Sequence, residues 1–202
     1  PGPLTTSKTT KEAMLHDWGS RDKNFIELNR SIRKSLIKLI DGKDSFECVP
    51  MQGSGTFAVE AMIGSLTKTN SKILILINGA YGQRMKKICE YHKRPYIVYE
   101  VAEHEVHDLL EIENIIDNNK DLTHVFGVYC ETTSGILNPI KSIADIVNKK
   151  NLSFFIDAMS AFGALPLSAK NLSFDAVVAS SNKCLEGVPG VGFVLVKKTI
   201  IE

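Results

Sequence analysis

The sequence predicts an α/β fold, a mainly parallel sheet with helices on both faces, and two observations carry that expectation. Apolar runs of strand length alternate along the chain with stretches whose apolar residues recur at helical spacing. Those runs are also nearly continuous in apolar residues, the pattern of strands buried on both faces rather than on one.

After an opening loop, Phe25, Leu28, Ile32, Leu36, Leu39 and Ile40 keep helical spacing with Lys34 and Lys38 between them, which predicts an amphipathic helix. The turn-forming Asp41-Gly42-Lys43-Asp44 follows it. Phe46-Glu47-Cys48-Val49 is expected to be extended, and Gly53-Ser54-Gly55-Thr56 opens a second helix through Val59, Met62, Ile63 and Leu66. Strands and helices then alternate: strand 73–77, helix 81–91, strand 96–101, helix 108–118, strand 125–129, helix 140–147 and strand 154–156. Two further strands, 176–179 and 192–196, complete the sheet. No internal repeat or low-complexity linker marks a boundary, so residues 1–202 are read as one domain.

A chain of 202 residues with 44% hydrophobic and 23% charged residues has the composition of an ordinary globular domain with a sizeable core. The net charge of +1, with basic residues dispersed among acidic ones, gives no cause to expect nucleic acid or a membrane surface as partner. No apolar run approaches the roughly 20 residues that span a bilayer, and Pro1-Gly2-Pro3-Leu4-Thr5-Thr6 lacks the regions of a signal peptide, so a cytoplasmic protein is expected. Cys48, Cys89, Cys130 and Cys184 are scattered, which predicts four reduced and mostly buried thiols rather than a zinc site or a disulfide framework. The five histidines show no ligand spacing. His104 and His107 lie in an acidic stretch where solvated side chains are expected, so no metal site is predicted. The chain lacks an initiator methionine and stops soon after an apolar run, which suggests a fragment of a longer protein.

In such sheets ligands collect beyond the carboxyl ends of the strands, and several polar stretches fall there. Gly53-Ser54-Gly55-Thr56 offers backbone N–H groups, two hydroxyls and a helix dipole to a phosphate, although the same residues also cap ordinary helices. It lacks the Walker lysine and the full dinucleotide fingerprint, which disfavours a nucleotide site. Tyr81, in Asn78-Gly79-Ala80-Tyr81-Gly82-Gln83-Arg84, either stacks on a flat cofactor or covers its own helix start. Glu131-Thr132-Thr133-Ser134-Gly135 brings three hydroxyls to the same edge, in a turn of a common structural type.

Asp157 follows Phe154-Phe155-Ile156, where a carboxylate must meet a cation or hydrogen-bond donors, unless it caps a helix through Ala158-Met159-Ser160. Lys183 follows the run 176–179 and a small polar turn, Ser180-Ser181-Asn182, which is unusual company for a solvated lysine. An amine and a carboxylate at the mouths of two buried strands are what pyridoxal 5'-phosphate chemistry requires. The amine bonds the cofactor aldehyde, and the carboxylate keeps the pyridine nitrogen protonated so that the ring accepts electrons from the substrate.

Taken together and in order, seven stretches resemble the fold-type I, class V pyridoxal phosphate aminotransferases. They are Pro1-Gly2-Pro3-Leu4-Thr5-Thr6, Asp17-Trp18-Gly19-Ser20-Arg21-Asp22, Gln52 to Thr56, Asn78 to Arg84, Glu131 to Gly135, Asp157 to Ser160, and Ser180 to Cys184. The resemblance implies the three-layer α/β/α large domain of that family, with catalytic roles for Lys183 and Asp157. It implies Ser54, Gly55 and Thr56 at the cofactor phosphate with Asn182 assisting, Tyr81 against the ring, and Thr133 near the 3-oxygen. Gly2 resembles the segment that closes over substrate, and Arg21 a residue near the substrate's acidic group. The implied reaction moves the amino group of 2-aminoethylphosphonate to pyruvate, giving phosphonoacetaldehyde and L-alanine, in a homodimer. That donor choice rests on the likeness of Asp17 to Asp22. The implied C-terminal small domain, with an arginine for the substrate acid, falls beyond Glu202. Alternatives are alanine:glyoxylate transamination on the same cofactor, or a cofactor-domain fragment serving only folding or oligomerisation. A desulfurase is disfavoured, because nothing marks a nucleophilic cysteine.

Overall fold

The computed structural model describes residues 2–201; Pro1 and Glu202, which bound the expected domain, lie outside the described residues. Fourteen elements follow in chain order: α1 (Lys8–Ala13), α2 (Lys23–Leu39), β1 (Phe46–Gln52), α3 (Gly55–Leu66), β2 (Lys72–Ile77), α4 (Ala80–Tyr91), β3 (Tyr96–Glu100), α5 (Leu109–Asn118), β4 (Leu122–Val128), α6 (Ile140–Lys149), β5 (Ser153–Asp157), β6 (Ala176–Ser180), β7 (Val191–Lys197) and α7 (Lys198–Ile201). The strands form one seven-stranded sheet in the order β1-β7-β6-β5-β4-β2-β3. Strands β3, β2, β4, β5 and β6 are parallel, while β7 is antiparallel to both β6 and β1. β1 therefore runs with the parallel set, and β7 alone opposes it.

The alternation of β2 shows how the two cores form. Ile73, Ile75 and Ile77 enter one apolar cluster and Leu74 and Leu76 the other, because successive strand side chains point to opposite faces. The first cluster gathers α3 and α4 through Val59, Met62, Ile63, Met85 and Ile88. The second gathers α2, α5 and α6 through Ile37, Ile112, Ile116, Ile143 and Val147. This is a three-layer α/β/α arrangement, as the alternating pattern predicts.

Several details differ from the sequence expectation. The opening loop contains α1, a single short helix capped by Ser7 and without a buried residue, so no apolar periodicity announces it. α7 continues directly from β7. α2 buries only Leu36 and Ile37 along its length, with Ile40 at its end; Leu28 and Ile32 stay 42% and 46% exposed. The reason is position, since α2 meets the sheet at its edge strand β1 and only the last turns reach it. His107 is buried rather than solvated, its Nε2 facing the carbonyl oxygens of Ile77 and Tyr99 at 3.2 and 3.3 Å. Of the cysteines, Cys48 and Cys89 are buried but Cys130 and Cys184 are half-buried. Among the described residues no helix is long and apolar enough to cross a membrane.

Candidate active site

Five chain segments reach one edge of the sheet as their strands end: Gln52 into α3, Ile77 into α4, Val128 into the Glu131 loop, Asp157 closing β5, and Ser180 leading to Lys183. β5 is the middle strand, so Asp157 lies at the centre of that edge. Its carboxylate is buried, and Oδ1 accepts a hydrogen bond from the Met159 amide at 2.9 Å. Among the described residues Oδ2 accepts none. Burial pushes the carboxyl up to about 6, opposed by the Met159 amide and, more weakly, by the Arg84 charge. A carboxylate so placed is short of a positive partner.

A small cavity beside Asp157 is lined by Gly55, Thr56, Tyr81, Arg84 and Met159. Ser54 caps α3, its hydroxyl accepting from the Phe57 amide at 3.2 Å. The Gly55 and Thr56 amides lie in the first turn and have no intrahelical acceptor, so they remain open to an anion at the positive end of the helix dipole. Gly55 lets the Met159 side chain pack close to α3, since a Cβ there would stand 2.6 Å from the Met159 sulfur and would displace it. Arg84 spans the cavity wall: Nη1 donates to Thr56 Oγ1 at 2.8 Å, and Cζ lies 4.6 Å from the centre of the Tyr81 ring.

On the far side, Thr132 Oγ1 and Ser160 Oγ are 2.5 Å apart, tying the loop after β4 to the loop after β5. Thr133 donates its hydroxyl to Glu131 at 3.2 Å. Ser180 Oγ donates to Asn182 Oδ1 at 3.0 Å, which orients the residue before Lys183. The half-buried Lys183 turns its Nζ toward the carbonyl oxygen of Gly2 at 3.3 Å, and Leu4 N donates to Asn182 O, so the chain start lies over the lysine.

The structure thus gathers Gly55, Thr56, Tyr81 and Asp157 around one cavity, and Gly2, Asn182 and Lys183 into a second group at the same edge. Thr133 joins the Tyr81 side through Glu131. Arg21 is exposed in the loop before α2 and has no side-chain hydrogen bond among the described residues. The neighbouring Asp22 caps α2, and Trp18 lies between His16, which it meets edge-on, and Phe25, so local contacts account for that stretch. Sequence reasoning quoted Arg84 and Glu131 without singling them out. The signal for Glu131 was present, since it follows a buried strand as Asp157 does.

Residues 7–202 match the family model described as aminotransferase class-V. The chain belongs to the class-V aminotransferase family. Among class-V relatives, 2-aminoethylphosphonate–pyruvate transaminase of Pseudomonas putida (strain GB-1) is 50% identical over 201 residues, which are 100% of this chain and 55% of that protein. The chain therefore spans about half the length of the curated relatives it matches. Among solved structures, the ureidoglycine-glyoxylate aminotransferase of Bacillus subtilis superimposes with a TM-score of 0.92 at 22% identity, covering 99% of this chain and 51% of that one. The alanine–glyoxylate aminotransferase of Nostoc sp. gives 0.92 at 20% identity, covering 99% and 53%. At those identities the likeness shows the shared fold.

Proposed function

We propose that these residues form the cofactor-holding half of a pyridoxal 5'-phosphate transaminase that moves the amino group of 2-aminoethylphosphonate to pyruvate. The observation that carries the cofactor assignment is Asp157, a central buried carboxylate short of a positive partner, beside a cavity shared with the open α3 turn and Tyr81. The donor set fits the group: a dianionic phosphate suits the Gly55 and Thr56 amides, and a protonated ring nitrogen suits Asp157. The choice of 2-aminoethylphosphonate and pyruvate is supported by the half-identical relatives that carry that name.

When bound, the cofactor supplies an aldehyde that takes up amines and a ring that absorbs the electrons released by deprotonation of the substrate carbon. Lys183 would provide the amine that holds the aldehyde, and its free amine would serve as the base for the proton on the substrate carbon. Asp157 would hold a proton on the ring nitrogen, since a buried carboxylate short of a positive partner forms a strong charge-assisted bond to a cation. Ser54, Gly55 and Thr56 would anchor the phosphate, Asn182 would align the lysine turn, Tyr81 would lie against the ring, and Thr133 would present its hydroxyl oxygen. Gly2 closes the mouth over Lys183 and limits water.

We assign the amine's phosphonate to groups that the cluster does not include, because Arg21 is exposed and makes no side-chain hydrogen bond to it among the described residues. The relatives' greater length leaves room for a small domain that carries them. A homodimer in the cytoplasm completes the reading; the exposed apolar stripe of Leu28 and Ile32 on α2 supports an assembly. The test is to load the protein with pyridoxal phosphate and add 2-aminoethylphosphonate, then pyruvate. Loss of the visible absorbance on the first addition and its return with L-alanine on the second is expected. Bleaching by L-alanine with no response to 2-aminoethylphosphonate contradicts the donor assignment.

A further inference from the structure

Glu131 is fully buried, at 0% exposure, and has no ion-pair partner among the described residues. An unpaired buried carboxylate is expensive, so its hydrogen bonds show what it is for. Its oxygens accept the Tyr81 amide at 3.2 and 3.4 Å, the Thr133 amide at 3.3 Å and the Thr133 hydroxyl at 3.2 Å. α4 lacks a side-chain cap from its own N-cap residue, Gly79, and Glu131 supplies one from 50 positions away. The negative charge also meets the positive end of a 12-residue helix. Gly79 permits this approach: a Cβ there would stand 2.3 Å from Glu131 Cγ and 2.7 Å from Thr133 Oγ1.

Two helices therefore point their N-termini at the same edge, but they are not equivalent. The first turn of α4 is filled from within by Glu131, whereas the Gly55 and Thr56 amides of α3 are open. Below this, Asn78 and Asn138 exchange side-chain hydrogen bonds at 2.9 and 3.1 Å and join the same two loops a second time. The two loops that carry Tyr81 and Thr133 are therefore pinned to each other twice.

We infer that Glu131 is a positioning residue that sets the Tyr81 ring and the Thr133 hydroxyl as one rigid wall of the cofactor pocket. The inference rests on the proposed pyridoxal phosphate site and adds to it a residue that does not touch the cofactor. It also assigns the cofactor phosphate to α3 alone, because α4 already carries its anion.

The experiment compares wild type with Glu131→Gln and Glu131→Ala in two measurements. Hydrogen exchange of the segment Ala80 to Arg84, without cofactor, reads the positioning directly. Titration with pyridoxal phosphate, followed by visible absorbance and circular dichroism, reads affinity and ring orientation. Faster exchange in both variants is expected, with cofactor affinity weakened about tenfold or more in Glu131→Ala and less in Glu131→Gln, which keeps one acceptor. An altered dichroic signal per bound cofactor is expected in both, while borohydride still fixes cofactor onto Lys183 at saturation. Unchanged exchange together with wild-type affinity and dichroism overturns the inference; if Glu131→Ala fails to fold, Glu131→Gln decides. A wild type that binds no cofactor sinks the site assignment instead, and the exchange result then judges the positioning role by itself.

Discussion

The amine of Lys183 and the carbonyl oxygen of Gly2 lie 3.3 Å apart although 181 positions separate them in the chain. Gly2 has a φ of +88°, and a Cβ on it would stand 2.9 Å from Lys183 Cδ and 3.3 Å from Asn182 O. The start of the chain is thus shaped to the lysine side chain. Gly2→Ala brings both a strained backbone and a clash, and is predicted to slow covalent capture of an aldehyde by Lys183 about tenfold. Thermal stability should change little, since the segment is exposed at Pro3 and Leu4. Stopped-flow absorbance with pyridoxal phosphate and a melting curve check the two halves; unaltered capture kinetics contradict the prediction.

Asp157 links stability to pH in the empty protein. Its folded proton affinity is raised from 3.8 to about 6, so the unfolded chain releases this proton first as pH rises. Folding stability is consequently lost between about pH 4 and pH 6, and the full penalty is present above that. Asp157→Asn is predicted to stabilise the cofactor-free chain at pH 7.5 by up to roughly 3 kcal/mol, with the gain vanishing near pH 4. The same variant should hold pyridoxal phosphate weakly and support no transamination. Urea unfolding at several pH values checks this, and a destabilised variant at pH 7.5 refutes it.

The capping role of Ser54 can be separated from the phosphate role proposed for it. As N-cap of α3 it holds the Phe57 amide, and Ser54→Ala should lower stability by about 1 kcal/mol. Ser54→Asp restores a cap but adds a negative charge beside the open amides. Ser54→Asp is therefore predicted to recover stability while weakening cofactor binding more than Ser54→Ala does. Parallel melting and absorbance titrations distinguish capping from phosphate binding; equal loss of both quantities in the two variants argues against a phosphate at this turn.

The order of strands and helices was legible because β2, β4, β5 and β6 are buried on both faces and so read as unbroken apolar runs. The reversed direction of β7 was not legible, since a buried antiparallel strand has the same apolar run as a parallel one. β1 reaches Gln52, past Pro50, because an edge strand tolerates a residue without an N–H. His107 misled because its neighbours in sequence are solvated, while its burial comes from Ile77 and Tyr99 on two other strands. At the site, Asp157 and the α3 turn were visible through strand ends and helix caps. The Glu131 contact with Tyr81 was invisible, because no local pattern says which helix a carboxylate from another loop will cap. Arg21 was suggested by likeness alone, and local structure does not bring it to the cluster.

Absorbance titration with pyridoxal phosphate, followed by borohydride reduction and peptide mapping, bears most directly on the roles of Lys183 and Asp157. The predicted result is a saturable visible band, reduced to a covalent adduct on Lys183 and absent in Lys183→Ala, with Asp157→Asn weakened but still labelled at that lysine. A folded wild-type protein that shows no band, or that carries the adduct on another lysine, contradicts the assignment.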